Sequence, residues 1–382
     1  MRLSHYAEHP VALGSFRSWM RLLWGRGGID KAYIPRLLFV SLTTLLTSPL
    51  RLWEWIRYGR AIKRTVIHPS PIFIIGHWRS GTTHLHNLMC QDKNLGYVST
   101  FQAMAPGFCM VGDKRIKPAL AALAHRRYPT RLIDNIPLTF DAPQEDEFAL
   151  ATISPYSFVH SFTFPKHSAS FFERYVLFEG ISEVVRAKWI RTYLAILRKA
   201  TLRHGGRRLV TKNCGHSARI RTLLDLFPDA KFVHIHRNPY EVFLSTVHMH
   251  KTVFPRSQLQ DTDSNRIEAH VLQFYTQLMQ RYFADRSLIP KGNLVEIRFE
   301  DLEASPLDQL CFVYDALELP GYDAAKPDFR LYIDSVSDYK KNAYEMNDDI
   351  VANVNAHWKT AFSEWGYERL EASPRVLGNK GG

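Results

Sequence analysis

The chain has 382 residues, of which 46% are hydrophobic and 23% charged, and its formal net charge is +12. This composition excludes an intrinsically disordered chain, and the length suits one large domain with insertions or two small domains. Four cysteines, Cys90, Cys109, Cys214 and Cys311, show neither CxxC nor metal-ligand spacing. We therefore expect reduced thiols in a cytoplasmic protein rather than a disulfide framework.

The first 68 residues are predicted to form a basic, apolar helical arm. Residues 1–64 carry eleven Lys or Arg, three Asp or Glu, and four of the eight tryptophans. The apolar run from Leu37 to Leu50 is shorter than the roughly 20 residues that span a bilayer. Basic residues, tryptophans and a short apolar helix are together typical of peripheral docking on an anionic membrane surface. The alternative is an arm that packs on the core with its arginines in solvent.

From residue 69 to residue 370, predicted strands alternate with predicted helices. The predicted strands are apolar runs at residues 71–75, 207–212, 231–236 and 293–299. The predicted helices lie at about residues 82–91, 181–206, 219–227 and 266–286, with a further helix that begins near residue 238. This alternation indicates an α/β fold with a P-loop-like parallel sheet flanked by helices. Residues 371–382 are predicted to be a C-terminal tail, and the polar stretch 251–265 a loop that could act as a lid.

The segment GHWRSGTTHLH, from Gly76 to His86, follows the first strand of this domain. A strand, a glycine-rich turn and a helix form a common anion site, because the helix N-terminus presents backbone N–H groups and a favourable dipole. A nucleotide-hydrolysing P-loop would read GxxxxGK[ST]. Here Gly81 is followed by Thr82, and the cation is Arg79. The sequence therefore predicts a phosphate-binding loop without the lysine that serves a γ-phosphate.

The segment HIHRNPYEVFLS predicts a second anion site. It places Arg237 at a strand end and Ser245 eight residues later, near the start of a helix. The strand lacks a terminal aspartate that could hold Mg²⁺, so a metal-assisted kinase is poorly supported. Two phosphate sites on one sheet favour a nucleotide that is phosphorylated at two places.

With both motifs in place, residues 70–367 resemble the sulfotransferases that use 3′-phosphoadenylyl sulfate (PAPS). The resemblance is to a bacterial branch that is distantly similar to tyrosylprotein and cytosolic sulfotransferases. RSGTT is similar to the family's [KR]SGTT motif, which implies a 5′-phosphosulfate site made of Arg79, Ser80, Gly81, Thr82 and Thr83. The spacing of Arg237 and Ser245 matches the family's R-[ND]-P-x(5)-S motif, which implies contact with the 3′-phosphate.

Two further segments carry the resemblance less strictly. YKKNAY resembles the family's basic loop over the 3′-phosphate, which makes Lys340, Lys341 and Asn342 candidates for nucleotide binding. In IRFEDL, Phe299 stands where the family often has a tyrosine, so this position keeps a ring and lacks a hydroxyl. The resemblance implies PAPS as donor, released as adenosine 3′,5′-bisphosphate, and implies no metal.

The resemblance also implies in-line transfer of a sulfuryl group to an acceptor hydroxyl, with Arg79 and Lys212 offsetting the developing charge. Lys212, in TKNCGH, stands where family members place a lysine near the leaving oxygen. The general base stays open between His216, four residues after Lys212, and a glutamate of QEDEFAL, either Glu145 or Glu147. These acids could also complement the dipole of a helix N-terminus.

The acceptor is expected to bear a hydroxyl and, because of the apolar arm, to be lipid-like or hydrophobic. One alternative is a P-loop-type nucleotide kinase. Another is a non-enzymatic basic protein that binds membrane or nucleic acid, although no nucleic-acid motif occurs and we expect no such partner. The oligomeric state is not predicted.

Overall fold

A five-stranded parallel sheet forms the centre of the molecule. The computed structural model describes residues 9–25, 28–127, 139–337 and 344–371. The strands are β1 (Ile72–Ile75), β2 (Leu95–Gly96), β3 (Arg208–Lys212), β4 (Lys231–His236) and β5 (Leu294–Arg298). Their order is β2–β3–β1–β4–β5 and every neighbouring pair is parallel, so the carboxyl ends of all five strands lie at one edge.

Helices surround the sheet within the described part of the chain. Before β3 they are α1 (Phe16–Leu23), α2 (Ile34–Leu46), α3 (Ser48–Arg64), α4 (Thr82–Met89), α5 (Thr100–Met104), α6 (Cys109–Gly112), α7 (Ile116–Arg127), α8 (Asp146–Ile153), α9 (Ser168–Tyr175) and α10 (Glu183–Arg203). After β3 they are α11 (Ile220–Leu226), α12 (Pro239–Ser257), α13 (Ser264–Asp285), α14 (Phe299–Ala304), α15 (Pro306–Ala316), α16 (Tyr322–Ser335), α17 (Asp348–His357) and α18 (Lys359–Trp365). The predicted α/β fold, with its parallel sheet flanked by helices, is confirmed.

Both faces of β1 are buried, which explains its uninterrupted apolar sequence. Ile72 and Ile74 pack on one face with side chains of α4, α15 and α16. Phe73 and Ile75 pack on the other face with side chains of α10 and α13. Alternate residues of one strand therefore serve two separate cores.

A third, aromatic core includes buried side chains of the N-terminal arm. Trp19 and Val40 lie in this core with Phe158, Phe172 and Phe274. The inward face of the arm thus packs on the same core as α12 and α13. Packing on the core was the second of the two possibilities for the arm.

The prediction of a loop over residues 251–265 is wrong for its first half. Helix α12 continues to Ser257 and contains Pro255 near its end. Tertiary contacts stabilise this end, because the buried guanidinium of Arg36 donates to the carbonyl oxygens of Pro255 (2.8 Å) and Gln258. Only a short connection then leads to α13, whose N-cap is Asp263.

Candidate active site

The predicted phosphate-binding segments meet at the carboxyl edge of the sheet. The glycine-rich loop follows β1, Lys212 ends β3, and Arg237 follows β4. Because β3 and β4 flank β1 on its two sides, these three segments are neighbours in space. Ligands of open α/β sheets commonly bind at this edge.

The loop after β1 requires glycine at two positions. Gly76 has φ 138° and Gly81 has φ 95°, which side chains rarely permit. A Cβ on Gly76 would lie 2.3 Å from the Ile235 carbonyl oxygen, and one on Gly81 would lie 2.1 Å from the Phe299 ring. Arg79 also has a positive φ, 68°, an uncommon conformation for a residue with a side chain. The loop leads into α4, whose first N–H groups have no intrahelical partner and suit an anion.

The loop contacts the second predicted motif directly. Arg79 Nε donates to Ser245 Oγ at 2.9 Å, and the guanidinium of Arg237 lies 3.5 Å from the Arg79 carbonyl oxygen. The guanidinium of Arg237 also stacks 4.6 Å from the centroid of the Phe299 ring. Two cations that follow different strands, about 160 residues apart in sequence, are therefore held side by side. Ser80 and Thr82 are buried in the same loop, and Thr83 is half-buried.

The third predicted segment is described only in part. Lys340, Lys341 and Asn342 lie outside the described residues. Tyr344 Oη lies 3.1 Å from Ser245 Oγ, so the chain that follows them reaches the second motif. The sequence reasoning did not single out Tyr344, although it ends the quoted YKKNAY stretch.

Lys212 and Glu145 form an ion pair beside the loop. Lys212 Nζ lies 2.6 Å from Glu145 Oε2, and each side chain is 6% exposed. Glu145 immediately precedes α8, at its N-cap. A contact of 3.6 Å between Thr82 Oγ1 and Cys214 Sγ connects the loop to the segment that follows Lys212.

Glu147 is held by several donors in the interior. Arg219 donates to Glu147 Oε2 at 2.8 Å, Asn213 donates to the same oxygen at 2.9 Å, and Ser157 donates to Oε1 at 2.7 Å. Burial raises the pKa of Glu147, but the charge of Arg219 and these hydrogen bonds outweigh burial and hold the pKa below its usual value. These contacts join α8 to the chain after β3.

Asp146 lies between the two glutamates and faces a different set of partners. Asn213 Nδ2 donates to one carboxyl oxygen at 2.6 Å, and Tyr193 Oη donates to the other at 2.9 Å. Burial raises the pKa of Asp146 to about 7, assisted by the charge of Glu147. Asn213, the residue directly after Lys212, thus binds two consecutive buried acids, Asp146 and Glu147.

His216 lies behind this network rather than beside the loop. It is fully buried, its Nε2 lies 2.8 Å from Tyr193 Oη, and its Nδ1 lies 3.3 Å from the guanidinium of Arg219. Burial and the charge of Arg219 hold the pKa of His216 well below its usual value. Asn213 and Arg219, which the sequence reasoning missed, flank His216 in TKNCGHSAR. Tyr193 carried no local signal, because it lies on α10.

A small, largely apolar pocket opens beside the phosphate loop. Its cavity volume is about 10 Å³, room for about one water molecule. Its lining residues are His77, Trp78, Phe158, Phe162, Thr246, Met249, His250, Val271 and Phe274. His77 and Trp78 directly precede Arg79, so the pocket adjoins the predicted phosphosulfate site. Among the described residues, no group of three or more His, Cys, Asp or Glu side chains is arranged to hold a metal ion.

Comparisons with known proteins agree with this geometry. The sequence profile of the Sulfotransferase family matches residues 71–324. The chain is 32% identical to the omega-hydroxy-beta-dihydromenaquinone-9 sulfotransferase Stf3 of Mycobacterium bovis over 380 residues, 98% of this chain and 96% of that protein. The Stf3 protein of Mycobacterium tuberculosis matches equally well.

Two solved structures share the fold at low sequence identity. The sulfotransferase STF9 of Mycobacterium avium aligns with a TM-score of 0.72 at 16% identity, covering 92% of each chain. The sulfotransferase STF1 of Mycobacterium tuberculosis aligns with a TM-score of 0.66 at 17% identity, covering 89% of this chain and 92% of its own. The family match and the relatives that align over almost the whole length establish the assignment: the chain belongs to the sulfotransferase family and is a sulfotransferase.

Proposed function

We propose that this enzyme transfers the sulfuryl group of PAPS to the hydroxyl of a hydrophobic, lipid-like acceptor. The observation that carries the donor assignment is the contact between the two phosphate motifs, where Arg79 Nε lies 2.9 Å from Ser245 Oγ. Two anion sites so close together suit one nucleotide with phosphate groups at both its 5′ and 3′ positions.

The loop fits the phosphosulfate end of this donor. The two glycines let the loop pack closely against the Ile235 carbonyl and the Phe299 ring, and the α4 N-terminus offers N–H groups with a favourable dipole. Arg79 replaces the P-loop lysine as the cation of the loop. Arg237 and Ser245, together with Lys340, Lys341 and Asn342, would hold the 3′-phosphate.

The reaction forms a bond between the acceptor oxygen and sulfur and breaks the bond from sulfur to a 5′-phosphate oxygen. In this scheme Arg79 stabilises charge on the transferring group. Lys212 donates to the phosphate oxygen that leaves, and Glu145 accepts the proton of the acceptor hydroxyl. Lys212 would exchange its contact with Glu145 for the phosphate oxygen, which would expose the carboxylate to the acceptor.

Three observations support Glu145 over His216 and Glu147 as the base. Glu145 contacts the lysine beside the phosphate loop at 2.6 Å. His216 is fully buried with both ring nitrogens in contact with Tyr193 and Arg219. Glu147 already accepts hydrogen bonds at both carboxyl oxygens. A base must be able to reach the proton that it removes, and only Glu145 has an exchangeable partner.

The apolar pocket supports a hydrophobic acceptor. Its phenylalanines and Trp78 would have to move apart to admit an apolar body, while the adjoining loop would hold the sulfuryl donor. The Stf3 relatives are named for an omega-hydroxy menaquinone derivative, a lipid that bears a hydroxyl group. An acceptor of this class would place its hydroxyl between the pocket and Glu145.

Calorimetric titration without metal tests the donor assignment against the kinase alternative. Adenosine 3′,5′-bisphosphate should bind the wild-type enzyme much more tightly than ATP. Arg237→Ala should lower the affinity for the bisphosphate roughly 10- to 100-fold, because a charge-assisted hydrogen bond to the 3′-phosphate is lost. Arg330→Ala, which removes an exposed arginine of α16, should leave binding unchanged. Equal affinity for the two nucleotides would overturn the PAPS assignment.

A further inference from the structure

Helix α2 directs most of its leucines outwards and buries two polar side chains, Arg36 and Thr44, beside Val40. Arg36 and Thr44 are fully buried, whereas Leu38 is 62% exposed and Leu42 is 54% exposed. Leu45 continues the exposed stripe at helical spacing. A surface helix of a water-soluble protein normally shows the opposite arrangement.

The inward polar groups of the arm have partners in the α/β domain. Arg36 binds the carbonyl oxygens at the end of α12, including that of Pro255 at 2.8 Å. Glu54 on α3 accepts from the backbone N–H of Met110 at 2.7 Å and pairs with Lys199. The arm is therefore firmly seated by polar contacts, and its outward leucines take no part in that seating.

Helix α3 extends the exposed apolar surface. Leu52, Trp55 and Ile56 are exposed in its first half. We define the arm face by six exposed side chains: Leu38, Leu42, Leu45, Leu52, Trp55 and Ile56. Of the nineteen exposed large hydrophobic residues in the described part of the chain, twelve lie between residues 20 and 66. Such a concentration marks an interaction surface rather than scattered apolar exposure.

The charge around the arm face is positive. Within residues 9–25 and 28–68, every exposed charged side chain is basic, including Arg57, Arg60, Lys63 and Arg64 in the second half of α3. The two acids of these residues are engaged, because Glu54 is buried and Asp30 pairs with Lys166. An apolar stripe with tryptophan and a basic flank is complementary to an anionic lipid surface.

We propose that the arm face docks on an anionic membrane, with α2 and α3 lying in the plane of the lipid headgroups. By length and composition alone, the helical stretch Lys31–Arg64 could cross a membrane, with a mean hydropathy of 1.2 over its best window and 22% of that window buried. This differs from the expectation that the apolar run is too short. The buried contacts of Arg36 and Glu54 favour in-plane docking, because crossing would pull both groups away from their partners.

Docking would bring the acceptor pocket to the membrane, a step that rests on the proposed function. Helix α12, whose end binds Arg36, supplies Thr246, Met249 and His250 to the pocket. Phe162, also in the pocket lining, shares the aromatic core with Val40 of α2. A lipid-like acceptor could therefore enter the site from the surface on which the arm rests.

Vesicle flotation of the full chain tests the docking independently of turnover. The wild-type protein should float with phosphatidylcholine vesicles that contain phosphatidylglycerol, and bind pure phosphatidylcholine more weakly. The pair Leu38→Ser and Leu42→Ser, and the pair Arg57→Gln and Arg60→Gln, should each lower partitioning at least about tenfold. Leu331→Ser, at a residue that is 68% exposed on α16, is the matched control and should have no effect.

The outcomes separate this proposal from its competitors and from the donor assignment. Release of bound protein by alkaline carbonate supports in-plane docking, and retention in the membrane would overturn it in favour of a span. Membrane partitioning that neither double variant lowers would also overturn the proposal. So would a protein that binds no vesicles but forms a concentration-dependent dimer, if the double leucine variant abolishes that dimer. All arm variants should bind adenosine 3′,5′-bisphosphate as tightly as wild type does. A wild-type enzyme that does not prefer this nucleotide would therefore contradict the proposed function and leave the docking proposal untouched.

Discussion

Glu145 and Glu147 lie two residues apart, are both almost fully buried, and yet have different surroundings. Glu145 contacts one cation, Lys212, beside the phosphate loop. Glu147 accepts from Arg219, Asn213 and Ser157 in the interior. The first pair lies beside the phosphate loop, where in the proposed mechanism a substrate group would replace one partner, and the second is more deeply buried, with the Arg219 side chain fully buried and that of Glu147 2% exposed. Identical side chains at one helix start can thus serve chemistry and architecture separately.

The interior network explains how the Lys212–Glu145 pair is positioned. Asn213 is adjacent to Lys212 and donates to both Asp146 and Glu147, which are adjacent to Glu145. These hydrogen bonds join the start of α8 to the end of β3, so the two segments that carry the proposed catalytic pair cannot shift independently. Such supporting contacts preorganise a site at no cost during the reaction.

The largest expected effect is on the kcat of a Glu145 variant. Glu145→Gln should lower kcat by about 10²–10⁴-fold, because an amide cannot accept the acceptor proton. Steady-state sulfuryl transfer measured with saturating donor and acceptor checks this. His216→Gln serves as the competing variant, and a larger loss of kcat there than in Glu145→Gln would reverse the assignment of the base.

Thermal unfolding with and without nucleotide also distinguishes the Lys212–Glu145 pair from the Arg219–Glu147 pair. Glu145→Gln leaves Lys212 without its carboxylate, and adenosine 3′,5′-bisphosphate should restore the lost stability because a phosphate group can pair with the lysine. In Glu147→Gln the partner Arg219 is fully buried, so the nucleotide should raise the Tm no more than in wild type. Equal rescue of both variants would mean that the two pairs do not differ in this way.

The second largest effect is expected in the stability of Glu147→Gln. Removing one partner of a buried ion pair typically costs about 3–5 kcal/mol. Denaturant unfolding should therefore show a lower free energy of unfolding, while kcat of the protein that remains folded changes much less than in Glu145→Gln. Glu54→Gln, which breaks the buried pair with Lys199 in the arm, is the matched control and should lose stability with no loss of kcat. A loss of kcat in Glu147→Gln that equals the loss in Glu145→Gln would contradict an anchoring role.

The sequence predicted the parts of the fold and site that depend on local pattern. The loop after β1 and the Arg237 motif could be found because each combines a strand end, characteristic residues and a helix start. Parallel strands then bring such segments to one edge of the sheet, whichever helices lie between them. Lys212 was predicted from the family resemblance, and the structure places it at the end of β3 beside Glu145.

What the sequence could not predict depends on contacts between distant segments. The end of α12 reads as a loop until Arg36, more than 200 residues earlier, is seen to bind its last carbonyl oxygens. The contacts of His216 with Tyr193 and Arg219 could not be predicted from the position of His216 in the sequence. For the leucines of α2 the sequence left membrane docking and packing on the core both open, because periodicity identifies an apolar stripe and not what covers it.

The smallest expected effect is on the pH dependence of the free energy of unfolding, and it distinguishes Asp146 from both glutamates. Burial raises its pKa in the folded protein from 3.8 to about 7, so the folded state retains a proton that the unfolded state releases. Its contribution to stability is therefore fully present below the unfolded pKa and is lost as pH rises through the folded pKa. Asp146→Asn cannot release this proton, whereas the buried histidines titrate alike in both proteins. Between about pH 5 and about pH 8, wild type should lose roughly 2 kcal/mol of unfolding free energy relative to Asp146→Asn. Parallel profiles for the two proteins would show that Asp146 is ionised in the fold, and that the interior network carries one more negative charge than its cations balance.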